Sequence, residues 1–231
     1  MKSTDLLKQE IKIPPEGTWA PYYFRSVGYQ SSQHKDNACQ RADAIYALFT
    51  EPTPYIYQND WIAGSMRPMF VKTDETNLEK ANAVVSRYPE RWFFTNADHF
   101  SPDYQTILSI GLPGMLEKIE RSKQKHAAKP ERVAFLEAMR ITLSGLRARL
   151  LKHADRCAEL CGNEGYSDDK LHFIEDNCRH IADRAPTTFA QALQLMWMIH
   201  TGFVHEGRYA MALGRIDQYL YPFFKQDLQN G

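Results

Sequence analysis

Eight histidines, four cysteines and a few charged pairs are the residues of this sequence with chemistry to offer. Asp98-His99 stands in Thr95-Asn96-Ala97-Asp98-His99-Phe100, a turn just ahead of a strong helix start. Such a turn presents an imidazole to a cavity, with a carboxylate near enough to tune it, or bonds the ring to its own backbone. Residue type alone leaves both open. His153 and His200 fall on helix faces beside apolar residues, which reads as core or edge histidines with satisfied ring nitrogens. Arg215 and Asp217 are two apart and follow Gly214. They make either an ion pair that fixes the start of a helix or an arginine that binds a carboxylate.

Cys157 and Cys161, four apart, share one helix face, while Cys39 and Cys178 stand alone. A metal centre needs more ligands at matching spacing, and the C-x3-C-x2-C triplet of radical S-adenosylmethionine clusters fails because position 164 is Glu. Buried, reduced thiols are the expectation, with no metal site. No G-x-G-x-x-G, P-loop, H-E-x-x-H or G-x-S-x-G occurs.

The elements that must position these residues are helices. Cys39 to Phe49 reads as a short helix ended by Pro52-Thr53-Pro54, and Asn77 to Tyr88 as a second one stopped by Pro89. Ser101-Pro102-Asp103 opens a third, with Ser to cap it, Pro in the first turn and Asp at the positive end. Gly111 and Pro113 should kink it. Val133, Leu136, Met139, Leu143, Leu146 and Leu150 follow three- and four-residue steps in the longest helix, from Pro130 to about Cys161. Gly162-Asn163 stops that helix and Ser167 starts the next, which carries Leu171, Ile174, Cys178 and Ile181 on one stripe. Thr188 and Gln191 match a capping box. The helix they open is apolar on nearly every side and therefore buried. A last helix covers Asp217 to Leu228. Short extended pieces are expected at Tyr55–Tyr57 and Trp61–Gly64. Residues 1–36, broken by Pro14, Pro15, Gly17, Pro21 and Gly28, read as an irregular N-terminal arm that packs on something, followed by a helical domain of residues 37–231.

The charge balance is neutral, 28 Lys+Arg against 28 Asp+Glu, which argues against a polybasic nucleic-acid binder. There is no apolar run of membrane-spanning length and no apolar signal core at the N-terminus, so the expected setting is the cytoplasm. From the residues alone the chain is a mostly helical domain with a buried aromatic helix, and no reaction follows.

Four segments supply one by resemblance. Gly214-Arg215-Ile216-Asp217-Gln218-Tyr219-Leu220-Tyr221-Pro222-Phe223 closely resembles the GR-x-DQYLYPF signature of glycyl radical enzymes, the pyruvate formate-lyase-like superfamily. Thr188-Phe189-Ala190-Gln191-Ala192-Leu193-Gln194-Leu195 resembles the TF-x-EALQL helix, with Gln191 where Glu is usual. Asp98-His99-Phe100-Ser101-Pro102-Asp103-Tyr104 resembles the GH-x-x-PDY turn, with Asp98 in place of Gly. Trp61-Ile62-Ala63-Gly64 resembles the I-x-G element. Their order agrees with the family, and the resemblance spans about residues 40 to 231.

The resemblance implies the helix-rich N-terminal portion of a ten-stranded α/β barrel wrapped by helices, in which a thiyl-forming Cys and a radical Gly sit on two central loops downstream of the GR-x-DQYLYPF helix. None of the four cysteines stands in such a loop motif and no R-V-x-G-Y occurs. The chain alone is therefore expected to be inactive and to bind no cofactor itself. Full-length members carry a glycyl radical installed by a radical S-adenosylmethionine activase. His99 is the implied substrate-binding residue, with Arg215, Asp217 and Gln218 as the structural motif. Ala212 stands where dehydratases often place Ser or Thr, which weakens a glycerol-type assignment. The implied function is a lyase or dehydratase portion acting on a small oxygenated or aminated substrate, its partner a second chain with the missing barrel half. The alternative is a non-catalytic helical protein that serves interaction or oligomerisation. Neither reading calls for nucleic acid or membrane.

Overall fold

The computed structural model describes residues 3–88 and 99–230. Helices α1 (Ser3–Lys12), α2 (Pro21–Ser31), α3 (Asn37–Thr50) and α4 (Glu75–Val85) precede the 99–104 turn. Then follow α5 (Tyr104–Lys125), α6 (Pro130–Leu160), α7 (Asp168–Asp183), α8 (Phe189–His205), α9 (Ile216–Tyr219) and α10 (Tyr221–Asn230). Among the described residues the strands are two antiparallel pairs of residues, Thr18–Trp19 against Phe70–Val71, registered Thr18 to Val71 and Trp19 to Phe70. The chain is mainly α, as expected.

Several boundaries follow from local chemistry. Asp36 caps α3 by accepting from the amides of Ala38 and Cys39, both at 3.0 Å. Asp74 caps α4 through the Asn77 amide at 2.8 Å. Gly111 takes φ +66° inside α5 and bends it next to Pro113, where the kink was expected. Thr188 accepts from the Gln191 amide at 3.2 Å. The Gln191 side chain reaches one residue further back than a capping box requires, to the Thr187 amide at 2.8 Å. The amide of Phe189, another free donor of the first turn, goes instead to Asp227 of α10 at 2.8 Å.

Four expectations are corrected. Residues 1–36 are not irregular: they hold α1 and α2. Pro21 lies in the first turn of α2, where its missing amide costs nothing. Gly28 is not a breaker but a point of close approach, since a Cβ there would fall 2.2 Å from the Asp43 carbonyl oxygen of α3. Ser101 does not cap α5; Asp103 does, accepting from the Thr106 amide at 3.0 Å. Tyr55–Tyr57 and Trp61–Gly64 are not strands. The last helix is two, broken at Leu220, because Pro222 has no amide proton and its ring would strike the carbonyl four residues back. The Pro89 stop and Asp98 lie outside the described residues.

The core runs between α5, α6, α7 and α8. Leu108 and Leu112, Leu150, Leu171, Ile174 and Ile181, and Leu195 and Met196 form one continuous apolar cluster. Cys157 and Cys178 are free thiols inside it. Burial pushes the Cys157 thiol up to about 12 and Cys178 higher still, so both stay protonated.

Candidate functional site

Two distant segments meet at one point. The Ala212 amide donates to the Phe100 carbonyl at 3.0 Å. That bond lays the 99–104 turn beside the extended stretch leading into Gly214. Phe100 then packs edge-to-face on Phe203 of α8, ring centres 5.8 Å apart. The turn is thereby tied to both the core helix and the Gly-Arg segment.

Gly214 takes φ +66°, and a Cβ on it would come within 2.7 Å of the Ser101 hydroxyl. The left-handed backbone is what favours glycine there. Beyond it, Arg215 grips Asp217 with two hydrogen bonds, Nε to Oδ1 at 3.2 Å and Nη2 to Oδ2 at 3.1 Å. Each partner holds the other charged: Arg215 is raised, and Asp217 lies below the usual carboxylate range. Both are exposed, and the pair braces the start of α9. Tyr219 completes the segment. Its hydroxyl donates to the Leu213 carbonyl and lies 3.5 Å from the Met196 sulfur.

Between these parts lies a recess of about 630 Å³, lined by Ser101–Gln105, Arg215, Gln218 and Tyr219 among others. Of the expected residues, Arg215 and Gln218 line it. Asp217 faces its partner. His99 is exposed, two residues before Ser101, and does not line the recess. Tyr104, nearly fully buried, forms the inner wall with its ring 5.8 Å from that of Tyr219. Burial raises its phenol above the ordinary range. On the other side of Tyr104 lies an apolar recess of about 280 Å³ between α3, α5, α6 and α8.

His153 and His200 are on helices, as expected, but among the described residues the buried Nδ1 of His200 has no hydrogen-bond partner, so that ring is not satisfied. His153 is buried and bonds the Arg149 carbonyl through Nδ1 at 2.8 Å. His200 stacks on Trp197 at 5.5 Å. Sequence reading missed Gln194, which is fully buried. Its amide pairs with Ala63 in both directions, accepting from the backbone amide and donating to the carbonyl, each at 2.8 Å. Trp197 Nε1 donates to the Gly64 carbonyl at 3.2 Å. Two of the four motif segments are thus joined to each other. The available signal was a glutamine at the centre of an apolar helix, which needs a partner when buried. Among the described residues no cluster of three His, Cys, Asp or Glu could hold a metal ion, and no helix is long and apolar enough to cross a membrane.

Comparison with known proteins places this arrangement. Over 140 residues the chain is 31% identical to the glycyl radical subunit of 4-hydroxyphenylacetate decarboxylase of Clostridioides difficile, a match covering 56% of this chain and 16% of that protein. It is 29% identical over 168 residues to (2S)-3-sulfopropanediol dehydratase of Klebsiella oxytoca, covering 67% and 20%. The chain therefore aligns with a fifth or less of these curated relatives. A solved structure from a study of 1,2-propanediol dehydration in Roseburia inulinivorans superposes with a TM-score of 0.84 at 19% identity, over 99% of this chain and 35% of that one. Its fold is the helix-rich part of the glycyl radical enzyme barrel. The pyruvate formate lyase-like family is matched over residues 70–231, which include the turn, the core helix and the Gly-Arg segment, and the chain belongs to that family.

Proposed function

We propose that the chain is the N-terminal portion of a glycyl radical lyase or dehydratase acting on a small oxygenated or aminated substrate. The observation that carries the reading is the Phe100–Ala212 bond. It sets His99 and the Gly214–Gln218 segment, far apart in sequence, at one edge of the molecule with the polar recess between Ser101 and Gln218. The relatives named above support it, since one is the glycyl radical subunit of a decarboxylase and the other a dehydratase.

In such an enzyme the bond-breaking power comes from a glycyl radical, installed by a separate radical S-adenosylmethionine activase. The residues of this chain supply position. His99, exposed at the turn, donates from a ring nitrogen to a substrate hydroxyl or accepts from it. Gly214, Arg215 and Asp217 hold the facing wall. Ala212, beside the turn, offers no side-chain hydrogen bond, so a substrate that demands a second hydroxyl contact at that point is disfavoured. The four cysteines lie outside the recess lining, and none of them takes the radical role. The chain by itself is inactive.

The test joins the chain to the remainder of a family dehydratase, as a fusion or by co-expression, and activates it anaerobically. His99→Ala then lowers kcat/KM for the substrate of that dehydratase while the unfolding curve stays in place. Unchanged turnover would remove His99 from the substrate. A second reading, a helical interaction protein, is favoured by the exposed row of Tyr221, Phe224 and Leu228 on α10. Such a protein self-associates through that row, and Phe224→Glu makes it a monomer in light scattering.

A further inference from the structure

The apolar recess behind Tyr104 takes no part in the proposed function. It is half-open, measures about 280 Å³ and is walled by α3, α5, α6 and α8. Rings reach it from three of those helices: Phe49 from α3, Tyr104 from α5 and Phe203 from α8. Met115 and Leu143 add to the same lining. The Tyr104 hydroxyl is shielded from solvent, so what Tyr104 turns to the recess is its ring. Gly202 leaves α8 bare at the wall, where a Cβ would stand 3.2 Å from the Phe49 ring.

The other polar side chains of the lining are engaged elsewhere. Thr142 donates to the Ala138 carbonyl at 3.0 Å, Asp103 accepts from the Thr106 amide, and Glu206 pairs with Arg41 and Arg208. Water inside therefore gains little. An apolar cavity of about 150 Å³ stays dry and takes up one benzene. This space is roughly twice as large, which gives room for one or two fused rings. Rings on three sides favour an aromatic guest over an aliphatic one, because edge-to-face contacts add to simple burial. The Met115 sulfur favours an aromatic neighbour in the same way. The two carboxylates at the wall, Asp103 and Glu206, count against an anion.

We propose that this recess binds one small neutral aromatic molecule of one or two fused rings. The site is separate from the polar recess by the 99–104 turn but touches it, since Tyr104 lines both. Phe203, a second wall residue, carries the Phe100 ring of that turn. A guest that fixes Tyr104 and Phe203 therefore steadies the turn that bears His99. The binding stands on the recess itself, and only the use of this coupling in turnover rests on the function proposed above.

The test titrates indole into the chain by calorimetry. One site per chain is expected, with slower amide exchange over residues 99–105 in the complex. Benzoate, similar in ring but charged, gives no binding heat. Leu143→Trp, which fills the recess from α6, loses indole binding while its circular dichroism stays native. Crystals of the unmodified protein soaked in 5-bromoindole give an anomalous peak among the rings of Phe49, Tyr104 and Phe203, and this arm decides the matter even if the variant does not fold. Absence of both the indole heat and the anomalous peak would overturn the proposal. So would undiminished indole binding by a folded Leu143→Trp, or benzoate binding as tightly as indole. A chain that is dimeric in light scattering and monomeric as Leu143→Trp would also overturn it, since the recess would then seat a second copy.

Discussion

His99, proposed to meet substrate, differs by position from the histidines that serve the fold. It is exposed, at the end of a turn whose fixed points are its neighbours: Phe100 on Phe203, Phe100 carbonyl to Ala212. Removing an exposed side chain away from such anchors changes stability by no more than about 0.5 kcal/mol. His99→Ala therefore leaves the urea midpoint in place, and a larger loss would mean the ring holds the turn. His153 and His205 are the opposite case. Burial first, then the nearby Arg149 charge, drives His153 down to about 3 and His205 well below its ordinary value. Unfolded histidine titrates near 6.5, so the unfolded chain takes up protons that the folded one refuses. Stability is intact above about pH 6.5 and falls as pH drops from there toward 3. The paired carboxylates act lower, since Glu137 lies at about 2 through its bonds to Arg140. Urea unfolding at pH 7 and 5.5 reads the histidines, and His153→Leu reduces the difference, with His205 supplying what remains. A slope that His153→Leu leaves untouched would place the acid sensitivity elsewhere.

At the scale of elements, α8 organises the site. Its first turn is capped by Thr188 and by Asp227 from α10, its middle binds Ala63 and Gly64, and its end packs on Phe100. Gln194→Leu strips a buried amide and a buried carbonyl of their partners and costs on the order of 2–4 kcal/mol in chemical denaturation. Leu195→Ala, at a fully enclosed position, costs about 2–5 kcal/mol. Trp197→Ala costs less than Leu195→Ala, because Trp197 is only half-buried despite its apolar helix. The reverse order would contradict the packing described. Most of this element was legible beforehand: the cap, the apolar faces and the length all follow from residue pattern. What was not legible was long-range. No spacing rule joins Gln194 to Ala63, 131 residues away. Local rules also misread α1 and α2, where proline and glycine normally signal irregular chain. Pro21 was in a permitted first turn, and Gly28 served contact with α3, which only tertiary packing reveals. Ser101 looked like a cap, but Asp103 stood two residues closer to the first free amides.

At the scale of the whole molecule, the candidate site was recognisable as four motif segments and not as geometry. Their order identified the family, while the Phe100–Ala212 bond and the recess became visible only once the chain was folded. The cysteines illustrate the division of labour. Sequence suggested buried reduced thiols; the fold buries Cys39, Cys157 and Cys178, the last two in the core between α6 and α7, and leaves Cys161 half-buried. On the proposed function, the residues of this chain position a substrate and depend on others for the radical chemistry. The most direct measurement is anaerobic electron paramagnetic resonance after incubation with S-adenosylmethionine and a radical activase. Spectra are recorded for the chain by itself and for the chain together with a second one that carries the family's cysteine and glycine loops. The account predicts a glycyl doublet only in the combined sample. A stable glycyl doublet from this chain by itself would contradict it.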